Sequence, residues 1–329
     1  MKINLANIKK AKKLLNKSEC IAIPTETVYG LAGNAYSDKA CKKIYKIKKR
    51  PKNNPLIVHY LNSQILKRDC SFNNDFLKLY KLFCPGPITF ILDLKKNSKI
   101  SKIITNNKNT LAVRFPKHPV TRNLLKILDF PLAAPSANPY SKVSPTSAEE
   151  VITAFGNTCP PVLDGGKSEI GLESTVLDLS CQTPTILRPG PISKTEVEKV
   201  VGREVLNPNE TVETGSPSKS PGLSVKHYAP ETPIRLYPSL KELLSLAPSS
   251  SENLILIPSK KSLPLFDSYS AEVMYFSETG DPLEIGRNLY TSLHKGDLLK
   301  KKTIHIPLIE KTGGIVEAIN DRLRRASTI

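Results

Sequence analysis

The chain has 329 residues, long for one compact core and sufficient for two domains. A hydrophobic share of 39% and a charged share of 24% exclude wholesale disorder, and no run approaches the roughly 18 consecutive apolar residues of a membrane helix. The net charge of +18 is concentrated: residues 1–110 carry 23 Lys and Arg against 6 Asp and Glu, and residues 111–329 carry 25 against 24, so a polyanion such as a nucleotide triphosphate or RNA suits the first third as well as simple solvated lysines do.

In chain order, apolar residues at Leu5, Ile8, Ala11, Leu14 and Leu15 predict a helix over Leu5–Asn16, and Cys20–Ile23 predicts a strand ended by Pro24. Lysines interleaved through that first segment leave no uninterrupted apolar core of a secretory signal, so a cytoplasmic location without membrane attachment is expected. A helix over Lys39–Lys49 stops before Pro51, and strand Leu56–Tyr60 follows. Next come helix Asp75–Leu82, strands Ile88–Leu94 and Leu111–Phe115, and helix His118–Leu128 with Pro119 in its first turn. Short strands Leu132–Ala134 and Val162–Leu163 flank helix Ala148–Phe155, and strands Thr175–Leu179 and Thr185–Leu187 form a pair. The expected organisation is a mixed α/β domain over 1–202, a Pro/Ser/Gly-rich connector over 203–230, and a small α/β domain over 231–329. In that last domain strands Ile234–Tyr237, Leu254–Pro258, Val273–Phe276 and Thr303–Pro307 alternate with helices Pro282–Leu293 and Ile315–Arg325. The six cysteines are scattered with no C-x-x-C pair, so reduced thiols are expected and no zinc site.

Neither G-x-x-x-x-G-K-[ST] nor G-x-G-x-x-G occurs, so a nucleotide would have to be held in another way. Polar and cationic groups recur instead at strand ends, where α/β folds place ligands. They lie in PTETVYGL (from Pro24), KIKKRPKNNPLIVH (from Lys46), PGPIT (from Pro85), AVRFPKHP (from Ala112), APSANP (from Ala134) continuing to Ser144-Pro145-Thr146, LDGG (from Leu163), GLESTVLDL (from Gly171) and LRPG (from Leu187).

In that fixed order the motifs closely resemble the YrdC-like family, specifically its threonylcarbamoyl-AMP synthases, over about residues 18–193. The connector ending His227-Tyr228-Ala229-Pro230 and the segment Gly313–Ala326 resemble the long form, which carries a small C-terminal Rossmann-like domain. The resemblance implies a twisted, open mixed α/β sheet with a positive cavity. It implies synthesis of L-threonylcarbamoyl-AMP from L-threonine, bicarbonate and ATP with release of pyrophosphate, Mg2+ accompanying the ATP. The product would pass to a tRNA threonylcarbamoyltransferase that modifies the adenosine beside the anticodon, and the basic first third could touch tRNA.

Carried over position by position, the resemblance assigns Lys48 and Arg50 to the triphosphate as catalytic groups. It assigns Thr27, His59, Arg114 and Ser174 to threonine, and Asn54, Thr110, Ala134, Ser136, Asn138, Ser144 and Arg188, with Lys48 and Arg50, to ATP. His227 and Tyr228 would fold over the ligands as a lid beside ATP. The chain departs from the family at Tyr140-Ser141, where a Ser-Gly pair is usual, and at Val225, where an aromatic or His is usual. An RNA-binding module without adenylation is the competing class, resting on the N-terminal charge alone. A carbamoyl-adenylate relative normally carries acylphosphatase and zinc-finger modules for which this chain has no room.

Overall fold

The computed structural model describes residues 5–207 and 228–327, so the connector's middle, including His227 and Val225, lies outside the described residues. The first domain opens with α1 (Leu5–Asn16), β1 (Ile21–Ile23), β2 (Gly30–Asn34), α2 (Asp38–Lys48) and β3 (Ile57–His59). It continues through α3 (Ser63–Leu66), α4 (Asn74–Phe83), β4 (Ile88–Asp93), α5 (Lys102–Thr105), β5 (Thr110–Arg114), α6 (Pro119–Ile127) and β6 (Leu132–Ala133). After α7 (Ala148–Phe155), β7 (Thr175–Asp178), β8 (Thr185–Arg188) and α8 (Lys194–Val201) complete it. In this domain the expected helices and strands are present with ends shifted by a residue or two, apart from Val162–Leu163, which makes only an isolated bridge from Val162 to Ala22.

Eight strands form one mixed sheet in the order β1-β2-β6-β3-β5-β4-β7-β8. Strand β2 is invisible to the alternation rule because its sequence, GLAGN, carries two glycines with no side chain to pattern. Packing requires one of them: a Cβ at Gly33 would stand 3.2 Å from Ile44 Cδ1 of α2, so the glycine lets helix and sheet close up.

Side-chain alternation divides the sheet. Val58, Phe90, Leu92, Leu111, Val113, Leu177 and Ile186 face a core covered by α2, α4, α5 and α8. Ile57, Ile91, Ala112, Val176 and Leu187 form a thin apolar strip on the other face, which no helix of this domain covers so fully. A cleft lies there.

The second domain comprises β9 (Ile234–Tyr237), α9 (Leu240–Leu246), β10 (Asn253–Ser259), β11 (Glu272–Ser277), α10 (Pro282–Leu298), β12 (Thr303–Pro307) and α11 (Gly314–Ala326). Its four strands are all parallel, in the order β11-β10-β12-β9, and the inner strand β10 carries a continuous apolar run, Leu254 to Ile257, as a sheet covered on both faces demands. Val28, Val143 and Leu172 of the first domain pack into the same apolar cluster as Ile285, Leu289 and Val316, so the two domains share buried surface. No described helix is long and apolar enough to cross a membrane.

Candidate active site

The cleft, whose roughly 550 Å³ of empty space includes its opening to solvent, is walled by Thr25, Val28–Gly30, Arg50, Ala134–Ser136, Glu173 and Tyr228. Strand register builds its floor. His59 pairs with Arg114, Arg114 with Thr89, Thr89 with Val176, and Val176 with Arg188, so these five residues stand side by side across β3, β5, β4, β7 and β8. At the usual strand spacing the row runs roughly 19 Å. A slip of one residue in β3, β5, β4 or β8 would turn its polar member into the core.

At one end of the row, Arg114 is 5% exposed and donates through Nη2 to Glu26 Oε1 at 2.7 Å, while its Nε has no partner among the described residues. Burial alone would raise the Glu26 carboxyl, but the charge and hydrogen bond of Arg114, with the backbone N–H of Lys117 at 2.9 Å, hold it below the usual carboxylate range. Beside them, burial and then the Arg114 charge push His59 down to about 3, so at neutral pH it is an uncharged imidazole. Its Nδ1 lacks a partner among the described residues. Ser174 shares a 2.7 Å hydroxyl hydrogen bond with Thr89, and Thr27 is buried against Thr25 Oγ1 at 2.9 Å, behind the wall.

The cations gather around these groups. Arg188 donates to the Ser174 carbonyl from Nε (3.2 Å) and Nη2 (2.9 Å), and from Nη2 to Ser174 Oγ at 3.2 Å. Gly190 allows this, because a Cβ there would collide with the backbone of Thr175. Arg50 donates through Nε to the Asn54 carbonyl (3.1 Å) and through Nη2 to Asn54 Oδ1 (2.5 Å) and the Pro55 carbonyl (3.0 Å), with the Tyr140 ring centroid 5.7 Å from Cζ. Burial lowers its pKa to about 10. Lys48, in the last turn of α2, is fully enclosed; its Nζ donates to the carbonyls of Ser136 (2.6 Å) and Asn138 (2.5 Å), and burial followed by Arg50 depresses it well below the ordinary lysine value. Ser141 adopts φ 66°, the left-handed backbone that the family's usual glycine takes without strain.

The structure therefore brings His59, Arg114, Ala134, Ser136, Ser174, Arg188, Arg50 and Tyr228 to the cleft wall. Lys48, Asn54, Thr27, Asn138 and Ser144 stand one layer behind. Thr110 lies at the opposite end of β5 from Arg114, in a smaller depression with Pro55, Ile104, Thr105 and Lys108. Sequence reasoning passed over Glu26 and Glu173, although both stand inside quoted motifs. Their partners Arg114 and Arg322 are 88 and 149 residues away, so no local spacing in the sequence marks them.

An open mixed sheet that buries arginines, a neutral histidine and hydroxyls along one face, with a parallel-sheet domain packed against it, defines a two-domain α/β enzyme with a polar, cation-rich cleft. Residues 13–190 match the Sua5/YciO/YrdC family model, described as "Telomere recombination", and residues 192–328 match that of the threonylcarbamoyl-AMP synthase C-terminal domain. A Pyrococcus abyssi threonylcarbamoyl-AMP synthase is 34% identical over 97% of this chain and 94% of its own. A Bacillus subtilis threonylcarbamoyl-AMP synthase is 40% identical over 71% of this chain and 67% of its own. The crystal structure of P. abyssi Sua5 complexed with L-threonine superposes with a TM-score of 0.88 at 33% identity, covering 99% of this chain and 96% of that one. The chain belongs to the threonylcarbamoyl-AMP synthase family in its two-domain form, and is an enzyme of the nucleotidyltransferase class.

Proposed function

We propose that this cleft makes L-threonylcarbamoyl-AMP from L-threonine, bicarbonate and ATP, releasing pyrophosphate. The threonine amine adds to the bicarbonate carbon with loss of water. An oxygen of the resulting carbamate then forms a bond to the α-phosphorus as the bond to pyrophosphate breaks. The observation that carries the reading is the transverse row: a neutral imidazole and a forked guanidinium stand beside hydroxyls, with further cations at the cleft wall.

Arg114 would take the threonine carboxylate through its unpartnered Nε side, Glu26 fixing the plane of the fork. His59, too weak a base to remove a proton at neutral pH, would serve as a hydrogen-bonding partner. Ser174 would flank the amino acid with Thr27 supporting it from behind, and Arg50 and Arg188 would face the triphosphate with Lys48 behind them holding the Ser136 and Asn138 carbonyls, while Asn54, Ala134, Ser136, Asn138 and Ser144 would shape the nucleotide side. Among the described residues, the carboxylates of Glu26 and Glu173 at the cleft are already paired, with Arg114 and Arg322. Magnesium would therefore arrive on the triphosphate, neutralising its charge, with phosphate oxygens as ligands. The product, a labile mixed anhydride, would go to a tRNA threonylcarbamoyltransferase acting on the adenosine beside the anticodon, and the lysine-rich first third could contact that tRNA.

Pyrophosphate release from ATP should require both L-threonine and bicarbonate. A site that bonds the substrate hydroxyl rejects analogues lacking it, so alanine or valine should be poor substrates. Equal release with valine, or release without bicarbonate, would refute the reading.

A further inference from the structure

Arg322 belongs to α11 of the second domain and is 0% exposed, yet its side chain reaches into the first domain. Its Nε donates to Glu173 Oε2 at 3.1 Å, and Nη1 donates to the Pro189 carbonyl at 2.9 Å as well as to Asp321 Oδ2 at 2.8 Å. Glu173 precedes Ser174 and Pro189 follows Arg188, so one guanidinium spans the two chain segments that deliver those residues to the cleft. Tyr290 of α10 donates to the same Oε2 at 2.7 Å, and Ser144 donates to Oε1 at 2.7 Å. The Tyr290 ring stacks 5.7 Å from Tyr228, over which Arg322 Cζ lies at 5.4 Å.

We propose that Arg322 and Tyr290 are positioning residues for the reaction, by which the second domain sets the geometry of Ser174, Arg188 and Tyr228 through Glu173 and Pro189. The inference rests on the cleft being the adenylation site. Cohesion between the domains does not require these groups, because Val28, Val143 and Leu172 already bury apolar surface against the second domain. A buried ion pair is a weak stabiliser once its desolvation is counted, whereas a planar fork bonded on two edges fixes direction. A lysine in its place could not satisfy Glu173 and Pro189 in that geometry.

The full-length protein tests this with Tyr290→Phe, which keeps the ring and drops one hydroxyl, and Arg322→Lys, which keeps the charge and drops the fork. Without substrates, amide hydrogen exchange should quicken in residues 172–176 and 188–190 and stay unchanged in α1 and α6, whose buried residues pack in a separate apolar cluster. In turnover, Tyr290→Phe should lower kcat/KM for threonine about tenfold. Combined with Ser174→Ala it should lose less than the product of the two single losses by about threefold or more. Independent losses, or a lower melting temperature with unchanged exchange in those segments, would mark a merely structural contact and overturn the inference. If the unaltered protein shows no threonine-dependent pyrophosphate release, the adenylation reading fails on its own. The exchange comparison then still decides whether the second domain holds these segments.

Discussion

Glu26→Gln isolates what the buried Glu26–Arg114 pair does. Glu26 is 2% exposed and accepts twice, from Arg114 Nη2 at 2.7 Å and from the Lys117 backbone N–H at 2.9 Å. Removing one partner of a buried pair outright costs about 3–5 kcal/mol. Glutamine keeps one carbonyl acceptor, so about half of that, ~2 kcal/mol, is expected here. At about 2–4 °C per kcal/mol for a domain of this size, the melting temperature should fall by about 4–8 °C. Arg114 would then hold an uncompensated charge beside the proposed carboxylate site, and added threonine would supply the missing anion. The threonine-induced rise in melting temperature should accordingly be larger in the variant than in the unaltered protein, which scanning fluorimetry with and without threonine measures. A fall of less than about 1 °C with an unchanged threonine effect would refute the argument that this pair is buried and coupled to the substrate.

Arg50→Lys removes the fork that holds Asn54 and Pro55, and turnover should fall about 10–100-fold; Lys42→Ala, at an exposed position of the preceding helix α2, should change pyrophosphate release by less than twofold. His59 binds no proton in the fold until about pH 3, whereas an unfolded histidine does so near 6.5, so its contribution to stability is complete above about 6.5 and declines as pH falls. The decline is about 1.4 kcal/mol per pH unit between those limits, and denaturant titrations from pH 7 to 5 should show a shallower slope for His59→Gln. A chain ending after Asn207 exposes Val28, Val143 and Leu172 and strips Glu173 of Arg322 and Tyr290, so it should melt at least 5 °C lower, roughly, and bind ATP more weakly by calorimetry. Replacing His227 and Tyr228 together by Ala should lower the ratio of intact threonylcarbamoyl-AMP to pyrophosphate, measured by mass spectrometry against a pyrophosphate assay, if the connector shields the anhydride from water.

Most of the longer elements and much of the cleft are legible in the chain's local patterns, whereas α3, α5, α8 and α9 are not. Helical and alternating periodicities place α1, α7, β9 and β12 with the observed bounds, because each buries one face whose spacing is a local property of the chain. Strand-end motifs likewise mark His59, Arg114, Ser174 and Arg188, since a parallel or mixed sheet collects what its strand ends carry. Strand β2 escaped because glycines leave no pattern, and its place depends on α2 approaching across the sheet. Only the tertiary structure decided the pairing of buried charges. Glu26 meets Arg114 and Glu173 meets Arg322 through sheet register and domain docking, interactions between residues far apart in the chain, and no short-range spacing encodes them. The second domain's role is of the same kind. Arg322 reads in sequence as one more cation on an amphipathic helix, and becomes a clamp on two segments of the cleft only because α11 packs where its guanidinium has no water to turn to.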